Sequence, residues 1–303
     1  MKLTRSKLIL AFFLVLMGPN NFIFCEGQDL FNEDLLKFFE YREMGPARQG
    51  GRILVIASPP GKPYTFYVST ATGGLWKTDN NGTTFTPLFQ NCGSIAIGAF
   101  AIAPSNPDIL WVGTGTAASG RISLLGDGIY KSTDAGKTWQ HMGLEKTIHI
   151  GRIAVHPEDP DIVYAAALGY HFSFNPERGL YKTTDGGKTW SKSLFISDKV
   201  GVADVVLNPS EPDIVYAATY DKWRIPWHFE EEGPESGIYK SVDGGETWNR
   251  MEKGLPSGKI GRIGLDIYKK NPDILYASVE NANLRPPTEK EIEQDKRRGD
   301  EPK

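Results

Sequence analysis

One short segment of the sequence gathers many of the side chains that could bind a ligand. Between Tyr220 and Glu235, two tryptophans, an arginine, a histidine and a glutamate lie close together: Trp223, Arg224, Trp227, His228 and Glu230. Aromatic rings beside an arginine and a carboxylate are typical of sites that bind carbohydrate or peptide. Alternatively, the segment packs its own aromatic rings against a neighbouring structural element, and the sequence leaves both interpretations open.

A second candidate site consists of arginines that recur at one position of a repeated strand. In chain order this position holds Arg52, Ala99, Arg152, Asp204 and Arg262. If the strands surround an axis, the three guanidinium groups would form a site for a carboxylate or a phosphate. Alternatively, Asp204 bridges its two arginine neighbours and the set is structural. Nearby loops add four candidates that could join either arrangement: His149, Glu177, Arg178 and Asp198.

Spacing alone assigns no catalytic residue. A glycosidase needs two placed carboxylates, and no pair stands out among Glu177, Asp198, Asp204 and Glu230. The sequence contains no serine-nucleophile elbow, no His-Glu-x-x-His zinc motif and no phosphate-binding loop. We therefore expect a binding function with no metal and no cofactor, and we keep a glycoside hydrolase as the alternative.

The candidate sites are separated by copies of a repeated turn. Four segments follow the pattern Ser/Thr-x-Asp-x-Gly-x-Thr-Trp, with their Asp positions 54, 51 and 58 residues apart. The Asp position holds Asn80, Asp134, Asp185 and Asp243, and the final aromatic position holds Phe85, Trp139, Trp190 and Trp248. The carboxylate can accept backbone N–H groups, the Gly can adopt a positive φ, and the Trp can pack between sheets. We expect these residues to be structural, with a looser hairpin in the first copy.

Further strand signals recur with the same period as the turn. A Pro-Asp-Ile strand start recurs at Pro107, Pro160, Pro212 and Pro272, and a short aliphatic strand precedes each. Four strands per period of about 50 residues predict one four-stranded blade. The predicted fold is therefore all-β: a β-propeller of four-stranded antiparallel blades over residues 41–280, with four complete blades and a truncated fifth. Residues 281–303 should form a charged loop or tail, a truncated insertion that further blades of the full-length chain would follow.

The repeated turn resembles the Asp box, or BNR repeat, of sialidases, xyloglucan-cleaving hydrolases, sortilin-type receptors and photosystem-assembly propellers. Three surrounding segments are most similar to large bacterial secreted proteins of the sortilin-like group: Gly45-Pro46, Gly73-Gly74-Leu75-Trp76-Lys77 and Asn175-Pro176-Glu177-Arg178-Gly179. The resemblance implies a propeller that binds a protein, peptide or carbohydrate on the face carrying the loops between second and third strands. These loops are Gly115 to Asp127, Gly169 to Arg178, Tyr220 to Glu235, and Asn281 onward, and they are long and irregular in the sequence. A hydrolase or an assembly module shares the motif.

The N-terminus predicts export. Lys2, Arg5 and Lys7 precede ten consecutive apolar residues, a run too short to cross a bilayer and typical of a signal peptide. We expect cleavage after Gly27, with lipid attachment to Cys25 as the alternative, and a lead-in over residues 28–40. The mature protein would be secreted, periplasmic or on the cell surface, without a stable membrane span. The net charge of −3 gives no reason to expect nucleic acid as a partner.

Overall fold

The structure is a computed structural model, and it describes residues 51–118, 123–225, 227–283 and 286–298. The predicted signal peptide (1–27), the lead-in (28–40) and the first ten residues of the predicted repeat region (41–50) lie outside the described residues.

Four sheets contain four antiparallel strands each, side by side in chain order. The first blade is formed by β1 (Ile53–Ala57), β2 (Phe66–Thr70), β3 (Leu75–Thr78) and β4 (Thr86–Pro87). The second is formed by β5 (Ile97–Ile102), β6 (Leu110–Thr114), β7 (Ile129–Ser132) and β8 (Gln140–His141). The third is formed by β9 (Ile150–Val155), β10 (Val163–Ala167), β11 (Gly179–Thr183) and β12 (Ser191–Leu194). The fourth begins with β13 (Val200–Leu207) and β14 (Val215–Asp221), continues through an inserted hairpin of β15 (Trp223–Ile225) and β16 (His228–Glu230), and ends with β17 (Gly237–Ser241) and β18 (Asn249–Met251).

A fifth sheet contains the two strands β19 (Ile260–Ile267) and β20 (Leu275–Asn281). The first strands of consecutive blades, β1, β5, β9, β13 and β19, are successive neighbours in space. A 3-10 helix (Glu145–Thr147) links β8 to β9, and the helix α1 (Glu289–Arg298) follows β20. The predicted fold class is confirmed: the described chain is a nearly all-β array of propeller blades, four of them complete and the fifth represented by two strands.

The hydrophobic core lies between consecutive sheets. All five residues of β10 and all seven residues of β14 are buried. Strands covered on both faces have near-continuous apolar sequences, and β10 reads Val-Tyr-Ala-Ala-Ala. Between the second and third blades, for example, Trp111 and Ile129 pack with Ile153 and Val163. Each blade therefore packs one face of its sheet against the next blade, and this packing fixes the positions of the loops at the blade ends.

The long loop of the fourth blade differs from the expectation of irregular structure. It contains the β15–β16 hairpin, in which Trp223 pairs with Glu230, Arg224 with Phe229 and Ile225 with His228. Aromatic and β-branched side chains favour such pairing across two strands. The hairpin gives the predicted ligand-binding residues a regular scaffold.

The charged segment after β20 also differs from the expectation of a loop or tail, because it contains α1. The helix start is capped reciprocally: the Glu291 carboxylate accepts the Thr288 N–H at 2.8 Å, and the Thr288 hydroxyl accepts the Glu291 N–H at 3.4 Å. Arg297 and Glu293, four residues apart, pair at 2.7 Å. Within the described part of the chain, no helix has the length and apolar character needed to cross a bilayer.

Candidate functional site

Each repeat turn is held by one recurring set of hydrogen bonds. In the second blade, the Ser132 hydroxyl donates to Asp134 Oδ1 at 2.8 Å and accepts the Gly136 N–H at 2.9 Å. Thr138 donates its hydroxyl (2.6 Å) and its N–H (2.9 Å) to the Asp134 carboxylate, and these bonds lower the pKa of Asp134 to about 2. Equivalent bonds form at Asp185 and Asp243. The carboxylates are used within the turns, as the structural interpretation requires.

The first turn keeps this geometry although it lacks the carboxylate. Asn80 Oδ1 accepts the Thr84 N–H at 2.9 Å, and Asn80 Nδ2 donates to Thr84 Oγ1 at 2.9 Å. The expected loosening of this hairpin is therefore not seen in its hydrogen bonds. Phe85 packs edge-on against Phe66 with the ring centroids 6.0 Å apart. Its ring, unlike an indole, has no N–H that could donate to another blade.

The tryptophans that follow the other turns connect neighbouring blades. Trp139 Nε1 donates to the Leu88 carbonyl and Trp190 Nε1 to the Met142 carbonyl, both at 2.7 Å. Trp248 Nε1 donates to Ser193 Oγ at 3.2 Å. Each indole thus joins its blade to the preceding one.

The loops between second and third strands lie at the other end of each blade, because strand direction alternates. We call this end, with residues 115–118, 123–128, 168–178, 222–225 and 227–236, the loop face. The predicted ligand-binding residues Glu177, Arg178, Trp223 and Arg224 belong to it. Glu177 is half-buried, and its backbone carbonyl accepts the Tyr181 hydroxyl at 3.0 Å.

Arg178 fastens three loops together, and these contacts favour a structural role over the predicted ligand-binding role. Its side chain is buried, and it donates to the backbone carbonyls of Tyr170 at 3.0 Å and Ser173 at 3.1 Å. It also donates to the carbonyls of Lys222 at 3.0 Å and of Lys199. Burial lowers the pKa of Arg178 to about 10. A guanidinium committed to four carbonyls in the interior positions the loops and does not face a ligand.

The strand arginines are engaged in contacts between blades. Arg152 Nε lies 3.5 Å from Asp204 Oδ1, and Asp204 Oδ2 accepts the Leu265 N–H of the fifth blade at 2.9 Å. Burial raises the pKa of Asp204, while Arg152 and the hydrogen bonds oppose the rise. Arg262 Nη1 donates to the Ala117 carbonyl of the second blade at 3.2 Å. These contacts favour the structural alternative, with Asp204 paired to one arginine, not to both.

Arg52 stands apart from this set. It lies just before β1, its side chain is exposed, and its backbone carbonyl accepts the Ala71 N–H at 2.9 Å. The structure places it at the edge of the first blade and gives it no contact with the other strand arginines among the described residues.

The β15–β16 hairpin presents an aromatic surface on the loop face. Trp223 packs against Phe174 of the third blade, with centroids 5.5 Å apart, and against His228 at 4.6 Å. Trp227, in the turn between the two strands, is 83 % exposed. Trp223 therefore packs as the structural alternative expects, and Trp227 projects into solvent, where ligand binding stays a prediction.

A lysine from the loop after β12 fixes the two ends of this hairpin. Lys199 Nζ lies 2.9 Å from Asp221 Oδ1, at the end of β14, and 3.2 Å from Glu230 Oε2, at the end of β16. Glu230 Oε1 lies 3.3 Å from His228 Nε2. The hydrogen bond from Lys199 lowers the pKa of Glu230, with a further contribution from His228. Lys199 and Asp221 were not among the predicted residues, because their contact depends on the pairing of β13 with β14, which leaves no pattern in the sequence.

An open pocket adjoins the hairpin, with a volume of about 300 Å³. Phe229, over whose ring the Arg224 guanidinium lies at 4.5 Å, forms part of its wall. The remaining lining is one lysine and four carboxylates: Lys259, Glu230, Glu231, Glu232 and Glu280. The pocket therefore offers hydrogen-bond acceptors beside an aromatic surface.

Buried basic groups lie beneath the loop face. Lys222 is 3 % exposed, and burial lowers its pKa to about 7, with Glu231 opposing and nearby arginines reinforcing the effect. His149 and His171 are buried and stacked, with ring centroids 3.9 Å apart. Burial lowers their pKa values to about 4 and about 2, so both are neutral near pH 7. Among the residues that the structure describes, no cluster of three or more His, Cys, Asp or Glu side chains could hold a metal ion.

The fold and the repeat turns define the class of protein as a β-propeller built from a repeated hairpin. Residues 127–292, more than half of the chain, match the Sortilin-Vps10 family, described as sortilin, neurotensin receptor 3. The chain belongs to this family.

Curated relatives and solved structures extend the comparison. The chain is 26 % identical over 233 residues to a xyloglucanase of Paenibacillus sp. and over 238 residues to xyloglucanase Xgh74A of Acetivibrio thermocellus. Each match covers 66 % of this chain but only 21 % and 25 % of the relative, so the chain spans about a quarter of their length.

Two solved structures show the same fold. An ancestral GH74 enzyme superimposes with a TM-score of 0.54 at 18 % identity, covering 71 % of this chain and 27 % of that one. The GH74 xyloglucanase from Xanthomonas campestris gives 0.50 at 21 % identity, covering 71 % and 32 %.

Proposed function

We propose that this chain is an exported ligand-binding propeller module whose loop face binds a peptide, a protein segment or a carbohydrate chain. One observation carries the proposal: the β15–β16 hairpin holds Trp227 almost fully in solvent above the packed base of Trp223 and Phe174. A large indole held in water by a rigid scaffold is typical of a contact that a ligand covers. Membership in the Sortilin-Vps10 family supports a binding role, and the repeat turns serve as Asp boxes that hold the scaffold.

The chemistry of the surface suits a chain-like ligand. The Trp227 ring offers a flat apolar face to sugar C–H groups or to an apolar side chain. The pocket that adjoins the hairpin at Phe229 supplies carboxylate acceptors at Glu232 and Glu280 and an ammonium donor at Lys259 for hydroxyl or amide groups. The hairpin would therefore supply most of the contact area, and the polar groups of the pocket would orient the ligand.

The test is ligand binding by the full chain, first on an array of glycans that includes xyloglucan oligosaccharides and then on a displayed peptide library. We expect Trp227→Ala to weaken the selected ligand by at least about tenfold. The matched control is Tyr64→Ala, which removes an aromatic ring that is 66 % exposed on the first blade. Equal losses in the two variants, or no loss in Trp227→Ala, would contradict the proposal.

A glycoside hydrolase is the second candidate. Asp221 Oδ1 and Glu230 Oε2 both contact Lys199 Nζ, so they lie no more than about 6 Å apart, and retaining glycosidases hold their two carboxyl groups about 5–5.5 Å apart. Several relatives are xyloglucanases by name. However, Asp221 is 1 % exposed, which leaves only Glu230 of the pair accessible to a substrate.

An assay of reducing ends separates the two candidates. The binding proposal predicts that the full chain binds xyloglucan or another array ligand without releasing reducing ends. If reducing ends do appear, and Glu230→Gln abolishes them while binding remains, the chain is a hydrolase and the binding-only proposal fails.

Export forms a separate part of the proposal. It rests on the basic residues Lys2, Arg5 and Lys7 and on the apolar run that follows them. Residues 1–30 fused to a reporter that is active only outside the cytoplasm should direct its export in a bacterial host, and Leu10→Arg should abolish that export. Retention of the unmodified fusion in the cytoplasm would remove this part of the proposal without affecting the binding site.

A further inference from the structure

Consecutive blades are joined by donors that reach one fixed position of the next repeat turn. Tyr67 Oη of the first blade donates to the Ala135 carbonyl at 3.4 Å, and Tyr164 Oη of the third blade donates to the Gly244 carbonyl at 2.7 Å. Ala135 and Gly244 each directly follow the Asp of their turn. The aromatic residue on the second strand of one blade thus recognises the turn of the next.

The second blade makes the same contact without a tyrosine. Its aromatic residue is Trp111, which has no hydroxyl and whose Nε1 is buried without a hydrogen-bond partner. Lys131, whose Nζ lies 5.0 Å from the centre of the Trp111 ring, donates instead to the Gly186 carbonyl at 3.3 Å and contacts Asp161 at 3.1 Å. Gly186 again directly follows the Asp of its turn.

The fourth blade carries the same donors, and no acceptor for them lies among the described residues. Lys240 Nζ lies 5.5 Å from the centre of the Tyr216 ring, as in the other blades. Among the residues that the structure describes, neither the Tyr216 hydroxyl nor the Lys240 ammonium has a hydrogen-bond acceptor. The position three residues after the turn aromatic, which accepts an indole N–H at Leu88, Met142 and Ser193, is held here by Met251.

The adjoining sheet has one edge that is free within the part of the chain that the structure describes. Within the described residues β20 pairs only with β19, and Tyr276 near its start is 62 % exposed. An unpaired strand offers a row of backbone donors and acceptors to an incoming strand. In the complete blades this position is filled by the third strand, which leads into the repeat turn.

We propose that the free edge of β20, together with Tyr216, Lys240 and Met251, forms a docking surface for a β-hairpin that carries the same repeat turn. The first strand of the hairpin pairs with β20. The residue after its Asp accepts the Tyr216 hydroxyl, and its Trp donates to Met251. A second copy of this chain does not fit, because its four repeat hairpins are already built into complete blades.

A peptide of residues 236–251 is a suitable probe, because in the fold this hairpin docks on Tyr164 and Lys182, the counterparts of Tyr216 and Lys240. Binding of the fluorescently labelled peptide to the full chain is followed by anisotropy. We expect saturable binding that weakens about 3- to 10-fold in Tyr216→Phe, the effect of one hydrogen bond. Tyr164→Phe is the matched control, since its hydroxyl is used within the chain. It should leave peptide binding unchanged, with folding of each variant checked by circular dichroism.

Two further measurements locate the contact. A peptide with Asp243→Ala, whose turn loses its central carboxylate, should bind more weakly than the original. Hydrogen exchange should show protection of residues 275–281 when the original peptide is added. The proposal is overturned if the peptide fails to bind, if Tyr216→Phe binds it as tightly as the unmodified chain, or if residues 275–281 show no added protection. Sedimentation that shows a dimer with β20 protected in the absence of peptide would assign the edge to a second copy and also overturn the proposal.

Discussion

Replacing Lys222 by methionine should change the pH dependence of stability in a defined way. Lys222 is 3 % exposed, and its pKa falls from 10.5 to about 7 because burial disfavours the charged form. Each unit of pKa corresponds to about 1.4 kcal/mol, so holding the charged amine in the folded protein costs up to about 5 kcal/mol. Methionine fills a similar volume without the charge.

The sign follows from proton binding. Between pH 7 and pH 10.5 the unfolded chain holds a proton on Lys222 that the folded protein has released, so the stability of the unmodified protein rises with pH across this window. Below pH 7 both states are protonated, and the full cost is present. Lys222→Met should therefore be the more stable protein at pH 6, by roughly 2–5 kcal/mol, and the difference should shrink as pH approaches 10.5.

The assay is urea unfolding followed by tryptophan fluorescence at pH 6, 8 and 10, with Lys253→Met as the control because Lys253 is exposed. The control should track the unmodified protein at every pH. If the stability difference between Lys222→Met and the unmodified protein is the same at pH 6 and pH 10, the buried charge is not its cause and the reasoning fails.

Three further predictions concern the scaffold. Hydrogen bonds lower the pKa of Asp134 from 3.8 to about 2, so its contribution to the free energy of unfolding is present above pH 4 and is lost as the pH falls towards 2. Asp134→Asn should therefore lose less stability than the unmodified protein on acid titration. An acid profile that is the same in both proteins would contradict this. Trp190→Phe removes the 2.7 Å bond to the Met142 carbonyl and should cost about 1–3 kcal/mol in urea unfolding, so a cost near zero would argue against the indole as a link between blades. Arg178→Met leaves four loop carbonyls without their donor and should cost at least about 1–3 kcal/mol in urea unfolding. It should also raise the rate of proteolysis within residues 168–178, and an unchanged rate would show that Arg178 does not fasten that loop.

The repeat turns and the blade strands could be predicted because their defining contacts are local. The hydrogen bonds of the Asp134 carboxylate in the second turn all fall between Ser132 and Thr138, so the residue pattern specifies the geometry of the carboxylate directly. The Pro-Asp-Ile segments start the second strands for a similar reason, since the turn before each strand and the apolar run after it lie within a few residues.

The candidate site was less predictable because its contacts join separate blades. The segment containing Trp223 and Trp227 was predicted as a binding loop, but Pro226 interrupts the alternation that would indicate strands, so the hairpin was missed. The recurring position of the strand arginines was evident in the sequence, whereas the pairing of Arg152 with Asp204 depends on how two blades meet. Arg178 binds carbonyls of three loops, and a backbone acceptor leaves no residue pattern to detect.

The central claim is that the hairpin on the loop face is the surface that binds the ligand. Hydrogen exchange of the full chain, with and without the ligand selected on the array, tests it most directly. The account predicts that the ligand adds protection from exchange across residues 223–232, which include the hairpin and part of the pocket lining. Protection of the four repeat turns at the opposite blade ends should not change. Protection confined to the repeat turns or to the first blade, with residues 223–232 unaffected, would contradict it.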